Sequence, residues 1–197
     1  MPTLSASAYV ILGLLEQSGS ATPYALDREI QQSIGHFWGF PRSQIYAEAA
    51  RLVRHGLVRE EREGAGRRRR TLSLTPAGRD VLAQWLTGPA DQVTEIRDEG
   101  LLRIFFQRVG ESGTEPVRQL AAQQREAHRR KLAQYETILA SATPAQPATD
   151  APGLDPGFGP PQAAALAFGL RFEQLAIAFW TEIAERGASA VDPRLPE

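Results

Sequence analysis

Four consecutive arginines, Arg67–Arg70, follow the glycine-rich stretch Gly64-Ala65-Gly66. Guanidinium groups keep their charge at any physiological pH and pair with phosphate oxygens in a bidentate way. The segment 51–79 holds nine arginines against three glutamates, a net charge of +6, although the whole chain has a net charge of -1. Positive charge that is concentrated in one short segment indicates a surface that faces phosphate groups.

A second set of polar side chains lies just ahead of this basic segment. Arg42, Ser43 and Gln44 stand at the predicted start of a helix, where free backbone N–H groups favour a phosphate. A glutamine can also pair with two edge atoms of adenine. Tyr46 carries a hydroxyl group that can reach the DNA backbone, or else it packs under the hairpin that follows. Arg51 lies further along the same helix and adds a cation.

The residues that catalysis and metal binding require are scattered or missing. The chain has no cysteine, which excludes disulfides, thiolate metal sites and thiol catalysis. His36, His55 and His128 are far apart in the sequence, and none has a partner at metal-ligand spacing. The glycine-rich stretch fits a hairpin turn and not the loop of a phosphate-binding enzyme. We therefore expect no enzyme activity, no metal and no cofactor.

Six predicted elements position the polar side chains. Thr22-Pro23 and Thr75-Pro76 each combine a capping hydroxyl with a proline in the first turn, which is typical of a helix start. Gly19 and Gly56 are helix stops, and a period of two on either side of the glycine-rich stretch predicts a hairpin. The elements are a helix over 5–18, a helix from Thr22-Pro23, a helix from 41–43 to His55, strands over 57–62 and 68–74, and a helix over 75–86.

This order of elements predicts a winged helix-turn-helix, in which the hairpin is the wing and the third helix is the recognition helix. The second helix of this motif crosses the DNA backbone, which places Thr22 and Tyr24 near phosphates. Thr22 has the alternative role of a helix cap, and Tyr24 that of a core residue. The recognition helix has an apolar core stripe and a polar stripe that we expect to face solvent. The polar stripe consists of Gln44, Glu48, Arg51 and His55.

The C-terminal half is predicted to be helical, over 95–109, 114–140 and 162–186. The last helix is apolar almost all round, and a small helical half cannot easily hide such a helix within one chain. We therefore expect burial against a second copy of the chain. The residues predicted to form that dimer interface are Leu166, Leu170, Phe172, Ile177 and Trp180.

These elements predict a mainly α-helical chain of two parts. Residues 1–88 form the DNA-binding domain, and 89–187 form a helical region for dimerisation and effector binding, with a proline-rich loop over 142–161 and a tail over 188–197. The apolar run Val10–Leu15 is too short to span a bilayer and lacks the basic flank of a signal peptide. We therefore expect a cytoplasmic protein with no membrane partner.

The N-terminal half resembles the PadR family of transcriptional regulators over residues 4–87. Two places depart from the pattern of that family, since Pro23 stands where glycine is usual, and Ala47 and Ala49 stand where proline and leucine are usual. Residues 101–106 are similar to the segment that opens the helical C-terminal half of the family. The matching N-terminal pieces, in order, are Ile11-Leu12-Gly13-Leu14-Leu15, Pro23-Tyr24-Ala25-Leu26, Ser43-Gln44-Ile45-Tyr46, Arg51-Leu52-Val53-Arg54-His55-Gly56-Leu57-Val58 and Leu74-Thr75-Pro76-Ala77-Gly78-Arg79.

The resemblance implies a homodimer that binds a palindromic double-stranded DNA operator and, as is usual in the family, represses transcription. It also implies that a small molecule or another signal releases the DNA. In some members an aromatic pocket near the dimer interface holds planar ligands, and Trp85, Phe105 and Phe106 are the candidates here, with plain core packing as the alternative. Activation of transcription, and a winged-helix module that binds proteins and not DNA, stay open at this point.

Overall fold

The computed structural model describes residues 4–39, 41–62, 70–90, 94–107, 114–141 and 159–188. Residues 4–90 belong to one compact unit, and 94–141 with 159–188 belong to a second. The first unit contains α1 (Ala6–Ser18), β1 (Ser20–Ala21), α2 (Pro23–Gln32), a short 3-10 helix (Ile34–His36), α3 (Arg42–Arg54), β2 (Val58–Arg62), β3 (Arg70–Leu74) and α4 (Pro76–Thr87). The second contains α5 (Glu99–Phe105), α6 (Glu115–Ser141) and α7 (Pro160–Arg186).

The helix starts predicted at the two Thr-Pro pairs are confirmed. Thr22 Oγ1 accepts a hydrogen bond of 3.1 Å from the backbone N–H of Ala25, and Thr75 Oγ1 accepts one of 3.1 Å from that of Gly78. The predicted stop at Gly56 is also confirmed, because this residue has a φ of 70° directly after α3. A left-handed backbone of this kind favours glycine, which carries no Cβ.

The three strands of the first unit form one antiparallel sheet in the order β1-β3-β2. The predicted hairpin pairs Val58 with Leu74 and Arg62 with Arg70. The edge strand β1 was not predicted, because two residues are too few to show a period of two. It pairs Ala21 with Leu72 on β3 and so joins the end of α1 to the wing. The tip of the wing, with Arg67, Arg68 and Arg69, lies outside the described residues.

One apolar core holds the first unit together. The stripes predicted on α2 and α3 are buried, since Leu26, Ile45, Ala49 and Leu52 are all 0% exposed. The start of α4 packs so closely on the chain after α3 that a Cβ at Gly78 would lie 2.1 Å from the carbonyl oxygen of Leu57. Only glycine fits at this contact, which fixes the wing and α4 against the helix-turn-helix.

The first helix of the second unit, α5, is shorter than the predicted helix over 95–109. It begins at Glu99, because the side chain of Asp98 accepts a hydrogen bond of 3.0 Å from the backbone N–H of Leu101 and caps the helix. A Cβ at Gly100 would lie 2.7 Å from the side chain of Gln124, so the glycine allows close approach of α5 to α6. The predicted apolar surface of this segment is largely exposed.

The helices α6 and α7 pack along each other around a small core of Val117, Ala121, Trp180 and Ile183. A polar cluster lies beside this core, in which His128 Nδ1 is 2.5 Å from Glu173 Oε2. The Glu173 side chain is only 7% exposed, and the histidine gives this buried carboxylate a polar partner. Among the described residues no group of three His, Asp or Glu side chains is arranged to hold a metal ion.

The last helix begins earlier than predicted. Pro160 and Pro161, the last two residues of the predicted loop, lie in the first turn of α7. Backbone N–H groups in a first turn have no partner within the helix, so the missing N–H of proline costs no hydrogen bond there. Residues 142–158 of that loop, and the predicted tail from 189 onward, lie outside the described residues. Of the described helices, α7 alone is long and apolar enough to cross a bilayer, by the criterion of one 18-residue window within Pro161–Arg186. That property is shared by core helices of soluble proteins.

The mainly helical architecture predicted from the sequence is confirmed. Three helices, a two-stranded wing and a fourth helix form the winged helix-turn-helix, and a helical C-terminal region follows.

Candidate nucleic-acid interface

The exposed face of α3 lies opposite its buried stripe. With 3.6 residues per turn, residues 43, 47 and 54 point away from residues 45, 49 and 52. Ser43, Ala47 and Arg54 are indeed exposed, whereas Ile45, Ala49 and Leu52 are buried. Arg54 was not singled out in the sequence, although its position opposite the core stripe was a signal that could have found it. This face is the part of α3 that a DNA groove can approach.

The polar stripe that we expected to face solvent lies on a flank of α3 instead. Glu48 is only 8% exposed, and its Oε1 accepts a hydrogen bond of 3.0 Å from Ser5 Oγ. The same oxygen accepts two hydrogen bonds from Arg51, of 3.0 Å from Nε and 2.6 Å from Nη2. The expectation was wrong for Glu48 because the stripe is turned about 90° from the position opposite the core and meets the start of α1.

Gln44, the predicted reader of adenine, uses its side chain inside the protein. Its amide nitrogen Nε2 donates a hydrogen bond of 3.0 Å to Ser7 Oγ on α1. The residue as a whole is nevertheless exposed. A contact between Gln44 and a base stays a prediction, and it requires the amide to leave Ser7. The predicted DNA contact of Arg51 likewise competes with its pairing to Glu48.

Arg42, at the first position of α3, is held by an acid of the preceding helix. Its Nε lies 3.2 Å from Oδ2 of Asp27, and its side chain is 71% exposed, whereas that of Asp27 is 4% exposed. The N-cap residue Pro41 makes no side-chain cap, and the first turn of α3 carries no acidic residue. The start of α3 therefore presents a cation beside the backbone N–H groups of a first turn that has no side-chain cap.

The two tyrosines of the helix-turn-helix are open to solvent. Tyr24 is 69% exposed and Tyr46 is 43% exposed. The exposure of Tyr24 contradicts the alternative of a core residue. The hydroxyl of Thr22, by contrast, serves as the helix cap. DNA contacts of Thr22, Tyr24 and Tyr46 stay predictions.

The described part of the wing holds one glutamate between two arginines. Glu60 Oε1 lies 2.7 Å from Nε of Arg62, and Glu60 Oε2 lies 2.6 Å from Nε of Arg70. The pKa of Glu60 is lowered from its ordinary value of 4.5, mainly because Arg62 donates a hydrogen bond to its carboxylate. The positive charge of Arg70 lowers it further. Arg70, predicted to contact DNA, is thus partly engaged within the hairpin.

Trp85, a predicted effector-binding residue, stacks on Tyr9 of α1. The ring centroids are 4.5 Å apart and the planes differ by 9°. Trp85 is 50% exposed, and with Tyr9 it lines a groove of about 390 Å³ on the first unit, which we call the aromatic groove. The other walls of this groove are mainly apolar, and they include Val10, Gly13, Leu14, Ile34, Phe37, Trp38, Leu82 and Leu86.

The other two predicted effector residues, Phe105 and Phe106, belong to the second unit. They are 80% and 71% exposed, and their rings meet edge to face at 5.2 Å. Their role in ligand binding stays a prediction.

The residues predicted to form the dimer interface differ in how far they are buried within a single chain. Trp180 is 1% exposed and Leu166 is 8% exposed, so both are buried within a single chain. The expectation was wrong for these two because α6 covers one side of α7. Leu170, Phe172 and Ile177 are half-buried. The large apolar residues of α7 that remain exposed are Phe168, at 61%, and Leu175, at 63%.

Two family profiles match the chain, one on each half. Residues 11–84 match the Transcriptional regulator PadR-like family, and residues 96–186 match a profile described as Virulence activator alpha C-term. A curated relative from Bacillus subtilis, Negative transcriptional regulator PadR, is 28% identical over 142 residues, which cover 69% of this chain and 76% of the relative.

Solved structures share the fold over nearly the whole chain. Bacillus subtilis PadR in complex with operator DNA has a TM-score of 0.73 at 23% identity and covers 93% of this chain and 99% of its own. The same Bacillus subtilis protein in complex with p-coumaric acid has a TM-score of 0.69 at 21% identity, with 92% and 97% covered. A PadR-like regulator from Bacillus cereus has a TM-score of 0.69 at 17% identity, with 93% and 98% covered. Residues 11–84 therefore match the PadR-like family of transcriptional regulators, and the fold of its solved members extends over nearly the whole chain.

Proposed function

We propose that this DNA-binding regulator is a cytoplasmic homodimer that binds a palindromic operator and represses transcription. The face of α3 opposite the core enters the major groove, and the wing reaches the adjacent minor groove or the phosphate backbone. Two copies related by a twofold axis present two such faces, which is why the operator is palindromic.

The observation that carries this proposal is the exposed face of α3. Ser43, Tyr46 and Arg54 are open to solvent on the helix that follows the helix-turn, and Arg42 stands at its start. Short polar groups suit base edges, and arginines suit phosphates and guanine. The wing adds Arg70 and, outside the described residues, Arg67, Arg68 and Arg69. Repression is supported by the name of the Bacillus subtilis relative, a negative regulator.

The test starts with duplexes selected by the full-length chain from random-sequence DNA. We expect an inverted repeat, with an affinity that falls steeply as salt rises. Changing Arg67–Arg70 to alanine should weaken binding to all duplexes and reduce the salt slope by about one unit for each lost phosphate contact. The matched control is Arg129→Ala, an exposed arginine of the second unit, which should leave affinity and slope unchanged.

The same selected duplex distinguishes repression from activation of transcription. Transcription in vitro from a promoter that contains the selected repeat should fall when the chain is added, and a rise would indicate an activator. The alternative function, a winged-helix module that binds proteins, requires that no duplex is bound in a salt-sensitive way.

We also propose a small planar aromatic effector, which binds in the aromatic groove. The Tyr9–Trp85 stack supports this assignment, because a half-exposed aromatic pair offers a flat apolar platform to another ring. The structural neighbour that was crystallised with p-coumaric acid also supports it.

A further inference from the structure

We propose that Asp27 is a positioning residue for DNA binding, which orients Arg42 toward a phosphate at the start of the recognition helix. The inference rests on the proposed function, since it assigns a role within the same DNA interface. Asp27 lies on α2 and is buried, and no sequence motif suggested it.

The ion pair joins a buried aspartate to a solvent-exposed arginine. Asp27 is 3% exposed as a residue, whereas the side chain of Arg42 is 71% exposed. The distance of 3.2 Å joins Asp27 Oδ2 to Arg42 Nε. The other carboxylate oxygen, Oδ1, is buried and has no hydrogen-bond partner among the described residues.

One ion pair to a largely solvated arginine is a weak reason to bury a carboxylate. The cost of removing a charge from water can exceed what such a pair returns, and apolar replacements of buried charges are often neutral or stabilising. An unpaired buried oxygen adds to that cost. The charge of Asp27 is therefore better explained by its effect on the side chain that it holds.

The position of Arg42 explains why it needs a partner. The N-terminal end of a helix carries a partial positive charge, which disfavours a cation. The first turn of α3 has no acidic residue, and Pro41 provides no side-chain cap. Asp27 supplies the missing negative charge from the neighbouring helix. It thereby keeps a guanidinium group beside the free N–H groups of α3, where both can bind one phosphate.

The direction in which Asp27→Asn changes the affinity for DNA distinguishes a positioning role from a direct effect of the Asp27 charge. A carboxylate near DNA repels phosphates, so Asp27→Asn should tighten binding if Asp27 acted only through its own charge. If Asp27 positions Arg42, the same substitution should weaken binding. The two explanations predict opposite results.

The experiment measures the affinity of the full-length chain for a duplex that it has selected from random-sequence DNA, by fluorescence anisotropy at several salt concentrations. We expect Asp27→Asn to weaken binding about three- to ten-fold and to lower the salt slope by about one, as Arg42→Gln does. The double variant should bind no more weakly than Arg42→Gln alone, because the two residues act through one contact. Glu16→Gln, which removes an exposed acid paired with Arg79, is the matched control and should have no effect.

Loss of folding is separated from loss of positioning by the salt slope. A partly unfolded sample has fewer active molecules, but each active molecule keeps the same number of phosphate contacts. If Asp27→Asn does not fold, Asp27→Glu decides, because glutamate keeps the charge but its longer side chain displaces the carboxylate from Arg42 Nε. Weaker binding by Asp27→Glu supports the proposal, and binding equal to that of the wild type overturns it.

Three results would overturn the inference while leaving the proposed function intact: tighter or unchanged binding by Asp27→Asn, an unchanged salt slope, or additive effects in the double variant. Failure of the wild-type chain to bind any duplex is a different outcome, since it would overturn the proposed function itself.

Discussion

Glu48 in the middle of the recognition helix accepts a hydrogen bond of 3.0 Å from the hydroxyl of Ser5, the residue that caps α1. One turn earlier, Gln44 donates to Ser7, also on α1. The start of α1 and the flank of α3 are thus joined by side chains from residues about 40 positions apart in the sequence. The direction in which α3 presents its proposed DNA-binding face therefore depends on α1.

We expect Glu48→Ala to destabilise the first unit by about 1–3 kcal/mol, because it leaves Ser5 and Arg51 without their acceptor. The effect should stay below that of breaking a fully buried ion pair, since the side chain of Arg51 is 31% exposed and can reach water. Urea unfolding of the full-length chain, followed by circular dichroism, measures the change in the free energy of unfolding.

The control for this prediction is Glu16→Ala. Glu16 pairs with Arg79 at 3.1 Å, but both side chains are about half exposed. Exposed ion pairs contribute about 0–1 kcal/mol, so this variant should unfold almost as the wild type does. Equal losses from the two variants would show that the contacts of Glu48 are no stronger than those of a surface pair.

The sequence was sufficient to predict the local structure of the first unit, but not which surfaces of its helices are covered by other elements. Helix starts such as Thr22-Pro23 depend on neighbouring residues, and the core stripe of α3 follows from its own period. What covers Glu48, however, is set by α1, which lies about 40 residues earlier in the sequence. A polar stripe has the same pattern whether it meets water or the start of another helix.

Two further differences have the same origin. The strand β1 exists only through its pairing with Leu72 and Ser73 of β3, so its own two residues carry no signal. Trp180 was assigned to a dimer interface because α7 is apolar nearly all round, yet α6 covers that side of the helix within one chain. An apolar face shows that something covers it, and the sequence does not say which surface does.

The hairpin of the wing should lose stability in acid through Glu60. The pKa of Glu60 is lowered in the folded protein, first by the hydrogen bond from Arg62. A lowered folded-state pKa means that the contribution is complete above the ordinary pKa of 4.5 and is lost as the pH falls below it toward the folded-state value. We therefore expect the difference in free energy of unfolding between the wild type and Glu60→Gln to shrink below that pH.

Urea unfolding of both proteins from about pH 3 to about pH 7 tests this pH dependence. Comparing the two proteins removes the titration of every other carboxyl group, because those groups are common to both. Glu61→Gln is the matched control, since Glu61 lies on the same strand with its side chain 69% exposed. A difference that stays constant down to the lowest pH would contradict the role of Glu60.

The proposed dimer should depend on the exposed side of α7 and not on its buried side. Phe168 and Leu175 are seven residues apart, which places them on one face of the helix. Replacing both with glutamate puts charges where apolar surface is expected to meet the second copy. We expect the mass measured by light scattering to fall from that of two chains to that of one, while the melting temperature in dilute solution changes little.

The contrasting variant is Trp180→Ala, which removes a ring that is 1% exposed in the core of the second unit. It should cost about 3–5 kcal/mol of stability, through the cavity that it leaves. If the Phe168 and Leu175 variant remained dimeric at micromolar concentration, the interface would have to lie elsewhere on the chain.

If the proposed effector site is correct, the aromatic groove binds a planar aromatic acid through the exposed ring of Trp85, and p-coumaric acid is the probe. Replacing Trp85 with leucine keeps apolar volume but removes the flat surface, whereas phenylalanine keeps a ring. Because aromatic pairs contribute about 0.5–1.5 kcal/mol beyond area burial, we expect Trp85→Leu to weaken binding about three- to ten-fold and Trp85→Phe to have a smaller effect. Isothermal titration calorimetry of the full-length chain gives each dissociation constant.

A ligand in this groove should also release DNA, because α1 connects the groove to the recognition helix. Tyr9 lines the groove, and one turn or less earlier on the same helix Ser5 and Ser7 hold Glu48 and Gln44 of α3. A movement of α1 on ligand binding would therefore reach the DNA-binding face directly. Addition of p-coumaric acid should lower the affinity for the selected duplex in the wild type and less so in Trp85→Leu. Equal loss of affinity in both proteins would place the ligand outside the aromatic groove.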